Sequence, residues 1–132
     1  SENTSQDGVL SLASSKASYR IGEALTLTIR VEQAGYLRVA YISSRGEVSE
    51  IFPNQYQSIR VKSAVEYRIP PKQDSFKMQI TGPAGVDKIV AVFSLSPFAK
   101  VKQIVNAEGV LNPALQNLAD SATAIRFQVV DQ

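Results

Sequence analysis

Apolar and polar side chains alternate over several short stretches of this chain, and that alternation limits the folds it can adopt. The clearest stretch places Leu25, Leu27, Ile29 and Val31 between polar residues. Successive side chains of a strand point to opposite faces of a sheet, so a period of two predicts a strand with one buried and one solvated face. The same period recurs at residues 65–69, 76–80 and 125–129. The pattern favours an antiparallel all-β protein.

Two longer runs are apolar at nearly every position: GYLRVAYIS, residues 35–43, and KIVAVFSLS, residues 88–96. Such runs are typical of central strands, or of a sheet face that another part of the chain covers. A short strand near residues 9–12 would begin the fold, and glycine and proline turns separate the runs. We therefore predict an immunoglobulin-like antiparallel β-sandwich of about 7–9 strands.

One late stretch, LNPALQNLADSA, has helical spacing instead. Asn112 is a suitable N-cap and Pro113 occupies the first helical position, which predicts a helix over about residues 113–121. Ser96 and Pro97 suggest a second helical turn or two, reaching toward Val105. One or two short helices before the last strand would cover an edge or an end of the sandwich.

The domain organisation is simple. A chain of 132 residues is one domain by length. Residues 1–8, SENTSQDG, are polar, and we expect them to be a flexible lead-in or a remnant left by trimming a longer chain. Residues 9–132 are expected to form the single β-sandwich domain.

The residue types that are missing exclude several kinds of chemistry. The chain has no cysteine and no histidine. It therefore lacks a thiolate nucleophile, a disulfide, and the side chain most often used as a general base or metal ligand. No cluster of aspartate and asparagine suggests a calcium site built from oxygen ligands. We expect no enzymatic activity, no cofactor and no metal.

Charge and hydropathy exclude two further classes. The net charge is +2, from 14 basic and 12 acidic residues, and the two signs alternate along the chain. No basic stripe suggests nucleic-acid binding. No apolar run approaches the roughly 20 residues that a membrane-spanning helix needs, so we expect no transmembrane segment in this chain.

The candidate binding site is the loop that ends a predicted hairpin. Residues 35–43 and 47–52 would form its strands, with the turn at residues 44–46. Pro53 cannot donate to a strand ladder, so the strand should end there. Tyr56 follows in the loop, where an aromatic side chain either folds back as a lid or faces a partner. Phe52, Pro53, Asn54 and Tyr56 form the candidate partner-binding loop.

An ordered set of motifs resembles a bacterial family catalogued only as a domain of unknown function. The motifs are Tyr-x-x-Gly-Glu, Gly-Tyr-Leu, Gly-x-Val, Phe-Pro-Asn, Ile-Pro and Pro-x-Gly-x-Asp. The resemblance spans about residues 9–130. The matching positions are Tyr19, Gly22, Glu23, Gly35, Tyr36, Leu37, Gly46, Val48, Phe52, Pro53, Asn54, Ile69, Pro70, Pro83, Gly85 and Asp87.

This resemblance implies a setting but no activity. Members of that family are accessory modules of envelope proteins, lipoproteins and secretion-associated proteins, including type VI secretion contexts, and they follow kinase-like or caspase-like domains. The resemblance therefore implies an accessory β-sandwich within a longer protein of the bacterial periplasm or cell envelope. It supplies no catalytic residue.

We expect a non-enzymatic module that binds a protein partner. One alternative is a module that binds peptidoglycan or another glycan, although the chain has no tryptophan to stack on sugar rings. Another is an inhibitor or immunity-type protein that inserts the loop IFPNQYQ, residues 51–57, into the active site of an enzyme.

Overall fold

The computed structural model describes residues 2–72, 75–98 and 100–131, and within them ten strands form two sheets. The all-β prediction is confirmed, and the sheets face each other across one core in a sandwich-like arrangement. One turn of 3₁₀ helix, Pro113–Leu115, lies between the last two strands. The strands are β1 Asn3–Asp7, β2 Leu10–Ser14, β3 Ser18–Arg20, β4 Leu27–Val31, β5 Gly35–Ile42, β6 Val48–Phe52, β7 Arg60–Val61, β8 Val65–Ile69, β9 Gly85–Ser94 and β10 Ser121–Val130.

The first sheet has the strand order β1-β2-β4-β8, and the second has the order β3-β10-β9-β5-β6, with β7 also paired to β5. The strands of the first sheet are antiparallel. In the second sheet β3 runs parallel to β10, whereas the other pairs are antiparallel. The predicted strands at residues 65–69 and 125–129 are confirmed as β8 and as part of β10.

The core between the sheets is built from the alternate residues that the period of two selects. In β4, Leu27, Ile29 and Val31 are fully buried, while Thr28 and Arg30 face outward. The facing sheet contributes alternate residues of β5, β9 and β10, which include Phe93 and Phe127. Burying each such side chain stabilises the fold by about 1.5–3 kcal/mol, so the alternation accounts for the pairing of the two sheets.

A second apolar cluster covers the outer face of the second sheet. Residues 95–98 and 100–120, which lie between β9 and β10, cross this face and bury the side chains that point away from the main core. This segment, here called the cover segment, explains why both long apolar runs are buried on both faces. The cluster comprises Ala40, Ile42, Val90, Val92, Phe98, Ile104, Val105 and Leu115.

Arg38 of β5 fastens the cover segment to the sheet. Its side chain is 5% exposed, and all five of its N–H donors are used. Two of them bind the carboxylate of Glu50 on β6. The other three bind the backbone carbonyls of Phe98 at 3.0 Å, Val101 at 2.5 Å and Lys102 at 3.0 Å.

The cover segment is irregular where the sequence predicts helix. Asn112 does act as a cap, because its side chain accepts a hydrogen bond from the Ala114 N–H at 3.0 Å. The predicted helix over 113–121 nevertheless ends after its first turn. The Asp120 N–H already donates to the Phe93 carbonyl of β9 at 2.9 Å, so the chain is drawn into the sheet.

The second predicted helix, between Ser96 and Val105, is also wrong in the described positions 96–98 and 100–105. An α-helix needs the carbonyls of residues 98, 101 and 102 as acceptors for N–H groups four residues later. Here those carbonyls bind Arg38 instead. Val105 then forms a bridge with Leu111, which turns the segment back on itself.

The prediction of a flexible lead-in is wrong for residues 3–7, which form β1 at the edge of the first sheet. Side chains of β1 reach across to β10 of the second sheet. The Asn3 amide donates to the Arg126 carbonyl at 2.8 Å, and the Asp7 carboxylate accepts from the Ala122 N–H at 2.9 Å. This polar strand therefore closes one side of the sandwich.

The predicted strand at residues 76–80 is an extended segment without a regular ladder. It pairs with the residues before β4 through an Ala24–Gln79 bridge. The Leu25 N–H donates to the Met78 carbonyl at 2.7 Å, and the Ile80 N–H donates to the Glu23 carbonyl at 2.9 Å. The predicted alternation of buried and exposed side chains is nevertheless observed, because Ile80 is buried while Lys77 and Gln79 are exposed.

Candidate functional site

Phe52, the first residue of the predicted binding loop, lies in the core. Its side chain is fully buried and packs edge-on against Tyr67, with the ring centroids 6.0 Å apart. A bulge in the β5–β6 ladder pairs Phe52 with Val39, whose side chain also points into the core. Phe52 therefore cannot contact a partner directly.

Asn54 organises the loop that follows. Its amide nitrogen donates to the Ile51 carbonyl at 3.0 Å and to the Gln57 side chain at 2.9 Å. Its side-chain oxygen accepts from the Tyr56 N–H at 2.9 Å. Asn54 and Pro53 are themselves half-buried. These two residues therefore set the shape of the loop, and they offer little surface to a partner.

Tyr56 is the predicted loop residue that the structure leaves on the surface. Its side chain is 50% exposed. One face of its ring stacks on Phe76, with centroids 6.0 Å apart and ring planes 17° apart. Phe76 in turn packs against the main core. The two aromatic rings thus form a fixed apolar ledge at the surface.

A groove runs from this ledge along β6. β6 pairs with β5 on one side, and no strand in the described part of the chain pairs with its other side. Between the β6 side of the second sheet and residues 75–82 lie two adjoining clefts of about 330 Å³ each, which share Ile51 as a lining residue. We call this surface the β6 groove. Its walls include Ser49 and Ile51 on one side and Lys77 and Met78 on the other, and Tyr56 and Phe76 close one end.

Asp87 and Tyr41 line the far end of the β6 groove. The Asp87 carboxylate is buried, and it accepts hydrogen bonds from the Tyr41 hydroxyl and, at 3.0 Å, from the Ser44 N–H. Burial, and then the bond to Asp87, raise the pKa of Tyr41 well above its usual range. These bonds hold the β5–β6 hairpin against β9.

The residues that carry the family resemblance have structural roles here. Glu23 accepts from the Arg20 N–H at 2.6 Å and binds Lys16, which shapes the turn before β4. Gly35 lies so close to Phe93 that a Cβ atom would be 2.6 Å from the ring. Asn54 and Asp87 hold loops, as described above. In this protein the motifs specify the scaffold around the groove.

No group of three acidic side chains lies close enough together to hold a metal ion within residues 2–72, 75–98 and 100–131. No helix in these ranges is long and apolar enough to cross a membrane.

Sequence reasoning missed Phe76 and the free edge of β6. Phe76 fits the alternation of residues 76–80 and was therefore expected to serve only as a core residue. The free edge depends on the order of strands in the sheet, and periodicity along the chain does not show that order. The exposed loop aromatic, Tyr56, was the available signal, and it does lie at one end of the β6 groove.

A family model described as a domain of unknown function (DUF4384) matches residues 18–97, which run from β3 to just beyond β9. No curated protein and no solved structure matches the chain significantly. The matched range contains the whole β6 groove, whereas β1, β2 and β10 lie outside it.

Proposed function

The chain belongs to the family described as a domain of unknown function (DUF4384), and we propose that it is a non-enzymatic module that binds an extended peptide segment of a partner protein along the β6 groove. The observation that carries this proposal is an edge of β6 with which no strand of the described residues pairs, beside a formed groove with an aromatic ledge at its end.

An unpaired strand edge presents backbone N–H and C=O groups that a second strand can bind. β6 has the sequence VSEIF, which contains neither the proline nor the lysine that commonly protect an edge. A side-chain amide occupies one carbonyl in each of β6 and β8: Asn54 donates to the Ile51 carbonyl at 3.0 Å, and Gln57 donates to the Arg68 carbonyl at 2.9 Å. Ser49 and Glu50 of β6 line the groove, so the edge of β6 is the one that we propose for strand addition.

The aromatic ledge would give the interaction its specificity. Main-chain hydrogen bonds supply affinity in strand addition, and pockets for alternate side chains supply selectivity. Ile51, Tyr56 and Phe76 form the apolar end of the groove. An apolar side chain of the peptide would pack there, while polar groups would follow Ser49 and Lys77. Because Tyr56 is held by Phe76, little side-chain entropy would be lost on binding.

The proposal includes a cellular setting and a finer description of the fold. The motif resemblance supports a module of a bacterial envelope or secretion-associated protein in the periplasm or cell envelope. A fusion of the parent protein to a reporter that is active only outside the cytoplasm would test that setting. The two facing, mainly antiparallel sheets support the immunoglobulin-like description of the sandwich.

The binding proposal can be tested with a displayed library of random peptides selected on the folded domain. A synthetic copy of a selected peptide should slow amide hydrogen exchange in β6, and Tyr56→Ala should weaken its binding about tenfold. Leu95→Ala is the matched control, because Leu95 is similarly exposed, at 52%, and lies outside the groove. Phe52 is unsuitable for the test, since replacing it would damage the core.

Three results would count against the proposal. The library could yield no binder, the bound peptide could leave exchange in β6 unchanged, or Leu95→Ala could weaken binding as much as Tyr56→Ala does. Retention on peptidoglycan that depends on Tyr56 would instead identify a glycan-binding module, because an exposed tyrosine ring can stack on a sugar.

A further inference from the structure

We infer that a second surface, on the outer face of the second sheet, binds a phosphate group. This surface, here called the cationic pocket, has a volume of about 430 Å³. The turn at the tip of the β5–β6 hairpin, the first residues of β9, the last part of β10 and residues 107–108 of the cover segment surround it. Its charged lining residues are Arg45, Lys88, Arg126 and Glu108.

The first argument is that two like charges face each other. Lys88 of β9 and Arg126 of β10 are direct partners in the antiparallel ladder, and both side chains line the same cavity. Like charges directly opposite each other destabilise a sheet. A sheet that places two cations in this register carries a repulsion that a bound anion would relieve.

The second argument is that no carboxylate neutralises these cations in the described part of the chain. The ion pairs there involve Lys16, Arg30 and Arg38, and none of them lies in the cationic pocket. Glu108 also lines the pocket, but its carboxylate forms no ion pair with the three cations. The pocket therefore carries a net positive charge.

The third argument is that Lys88 is held in place. It is half-buried, and its ammonium group donates to the Gly109 carbonyl at 3.1 Å. The Asn106 side chain fixes the turn that presents this carbonyl, because it accepts from the Glu108 and Val110 N–H groups. Burial and the neighbouring Arg126 lower the pKa of Lys88. A bound anion would reverse this effect by favouring the charged ammonium group.

Phosphate fits the chemistry of the pocket better than a single carboxylate does. Two guanidinium groups and one ammonium group can together bind several oxygen atoms of a doubly charged anion, and arginine binds phosphate in a bidentate manner. The Ser43 hydroxyl oxygen accepts from the Arg45 and Glu47 N–H groups, both at 3.2 Å, and so fixes the turn that carries Arg45. The ligand class is inorganic phosphate or the phosphate of a small ester.

The inference is independent of the proposed peptide binding. The cationic pocket and the β6 groove have different charged residues, and the two experiments measure different ligands. The test is a titration of the ¹⁵N-labelled domain with inorganic phosphate and, separately, with glycerol 3-phosphate, at constant ionic strength set by chloride. We expect saturable shifts of the amides around Ser44, Lys88 and Arg126. Arg126→Gln should weaken binding about tenfold.

Arg30→Gln is the matched control, because it removes the same charge from the outer face of the other sheet, where Arg30 pairs with Glu32. It should leave phosphate binding unchanged. Tighter binding of glycerol 3-phosphate would assign the site to a phosphate ester, and equal binding would assign it to free phosphate; both support the inference. Shifts that do not saturate, or equal losses in Arg126→Gln and Arg30→Gln, would overturn it.

A second measurement tests the repulsion itself. In phosphate-free buffer Arg126→Gln should melt at a higher temperature than the unmodified domain, because one of the two facing charges is gone. Adding phosphate should raise the melting temperature of the unmodified domain and have a smaller effect on the variant. A variant that melts lower without phosphate would refute the argument from like charges.

Discussion

Replacing Arg38 by methionine should detach the cover segment from the second sheet. Methionine has a similar length and keeps the apolar contacts of the stem, but it has no N–H donor. The backbone carbonyls of Phe98, Val101 and Lys102 would each lose a hydrogen bond from Arg38, and the Phe98 carbonyl would keep the bond that it accepts from the Val101 N–H. The Glu50 carboxylate would also lose its ion pair.

The magnitude follows from which of these groups can regain water. A buried acceptor left without a partner costs about 1–3 kcal/mol, but the cover segment can move outward and hydrate some of the carbonyls. The Glu50 side chain is 34% exposed, so its charge remains partly solvated. We therefore expect a loss of about 3 kcal/mol, near the lower limit for breaking a buried ion pair. For a domain of this size that loss lowers the melting temperature by roughly 10 °C.

Urea unfolding and amide hydrogen exchange together test this prediction. Exchange should accelerate most at the Val101 and Asn112 amides, whose hydrogen bonds lie within the cover segment. Arg38→Lys should be nearly as damaging, because an ammonium group cannot reproduce the planar arrangement of five donors. Arg30→Met, at an exposed ion pair, is the control and should change stability by less than about 0.5 kcal/mol. If Arg38→Met left both stability and exchange unchanged, Arg38 would not be what holds the segment.

Two further predictions concern the edges and the interior of the sandwich. Deleting residues 1–8 should destabilise the domain by at least about 2 kcal/mol in urea, since β1 and its bonds to β10 are lost; an unchanged midpoint would mean that β1 is dispensable. The raised pKa of Tyr41 favours the folded state fully below the tyrosine pKa of the unfolded chain, about 10, and this contribution is lost as the pH rises above it. Stability should therefore fall less steeply between about pH 9.5 and 11 in Tyr41→Phe than in the unmodified domain; parallel curves for the two proteins would contradict the argument.

The strands that bury one face could be predicted from the sequence. Apolar and polar side chains alternate over residues 27–31, 65–69 and 125–129 because one side of each strand meets the core. The burial of one face is therefore visible in the sequence itself. The two-faced apolar runs were equally informative, since the cover segment buries the outer side chains of β5 and β9. In each case the signal is local, because it depends only on which side of the strand meets water.

Features that depend on distant residues could not be predicted in this way. β1 is polar, and its Asn3 and Asp7 side chains bond to backbone groups of β10 that lie more than a hundred residues away in the chain. The helix predicted between Ser96 and Val105 does not form because Arg38, far earlier in the chain, binds the carbonyls that the helix would need. The helix predicted over 113–121 ends early because the Asp120 N–H binds the Phe93 carbonyl. Helix propensity describes a chain without such competitors.

The candidate binding loop also has one feature that the sequence could predict and one that it could not. The position of Tyr56 in a loop could be predicted, but the sequence left open whether its ring folds back or faces outward; the structure shows the ring half-exposed and stacked on Phe76. The burial of Phe52 could not be predicted, because a bulge inserts one residue into β6 and turns the Phe52 side chain inward. One such insertion reverses every assignment of side chains to faces that follows it.

The position of β10 also determines when the fold can form. β10 lies between β3 and β9 in the second sheet and contacts β1 of the first. The contacts of β1 and β3 with β10 therefore cannot form until β10 has been synthesised. During synthesis the ribosome would release β1 to β9 before β10 exists, and the unpaired edge of β9 would be exposed meanwhile. Contacts between the two ends of a chain require the costliest loop closure, and such topologies fold in milliseconds to seconds. The nascent domain is therefore most exposed to aggregation, and most dependent on chaperones, in the interval before β10 is complete.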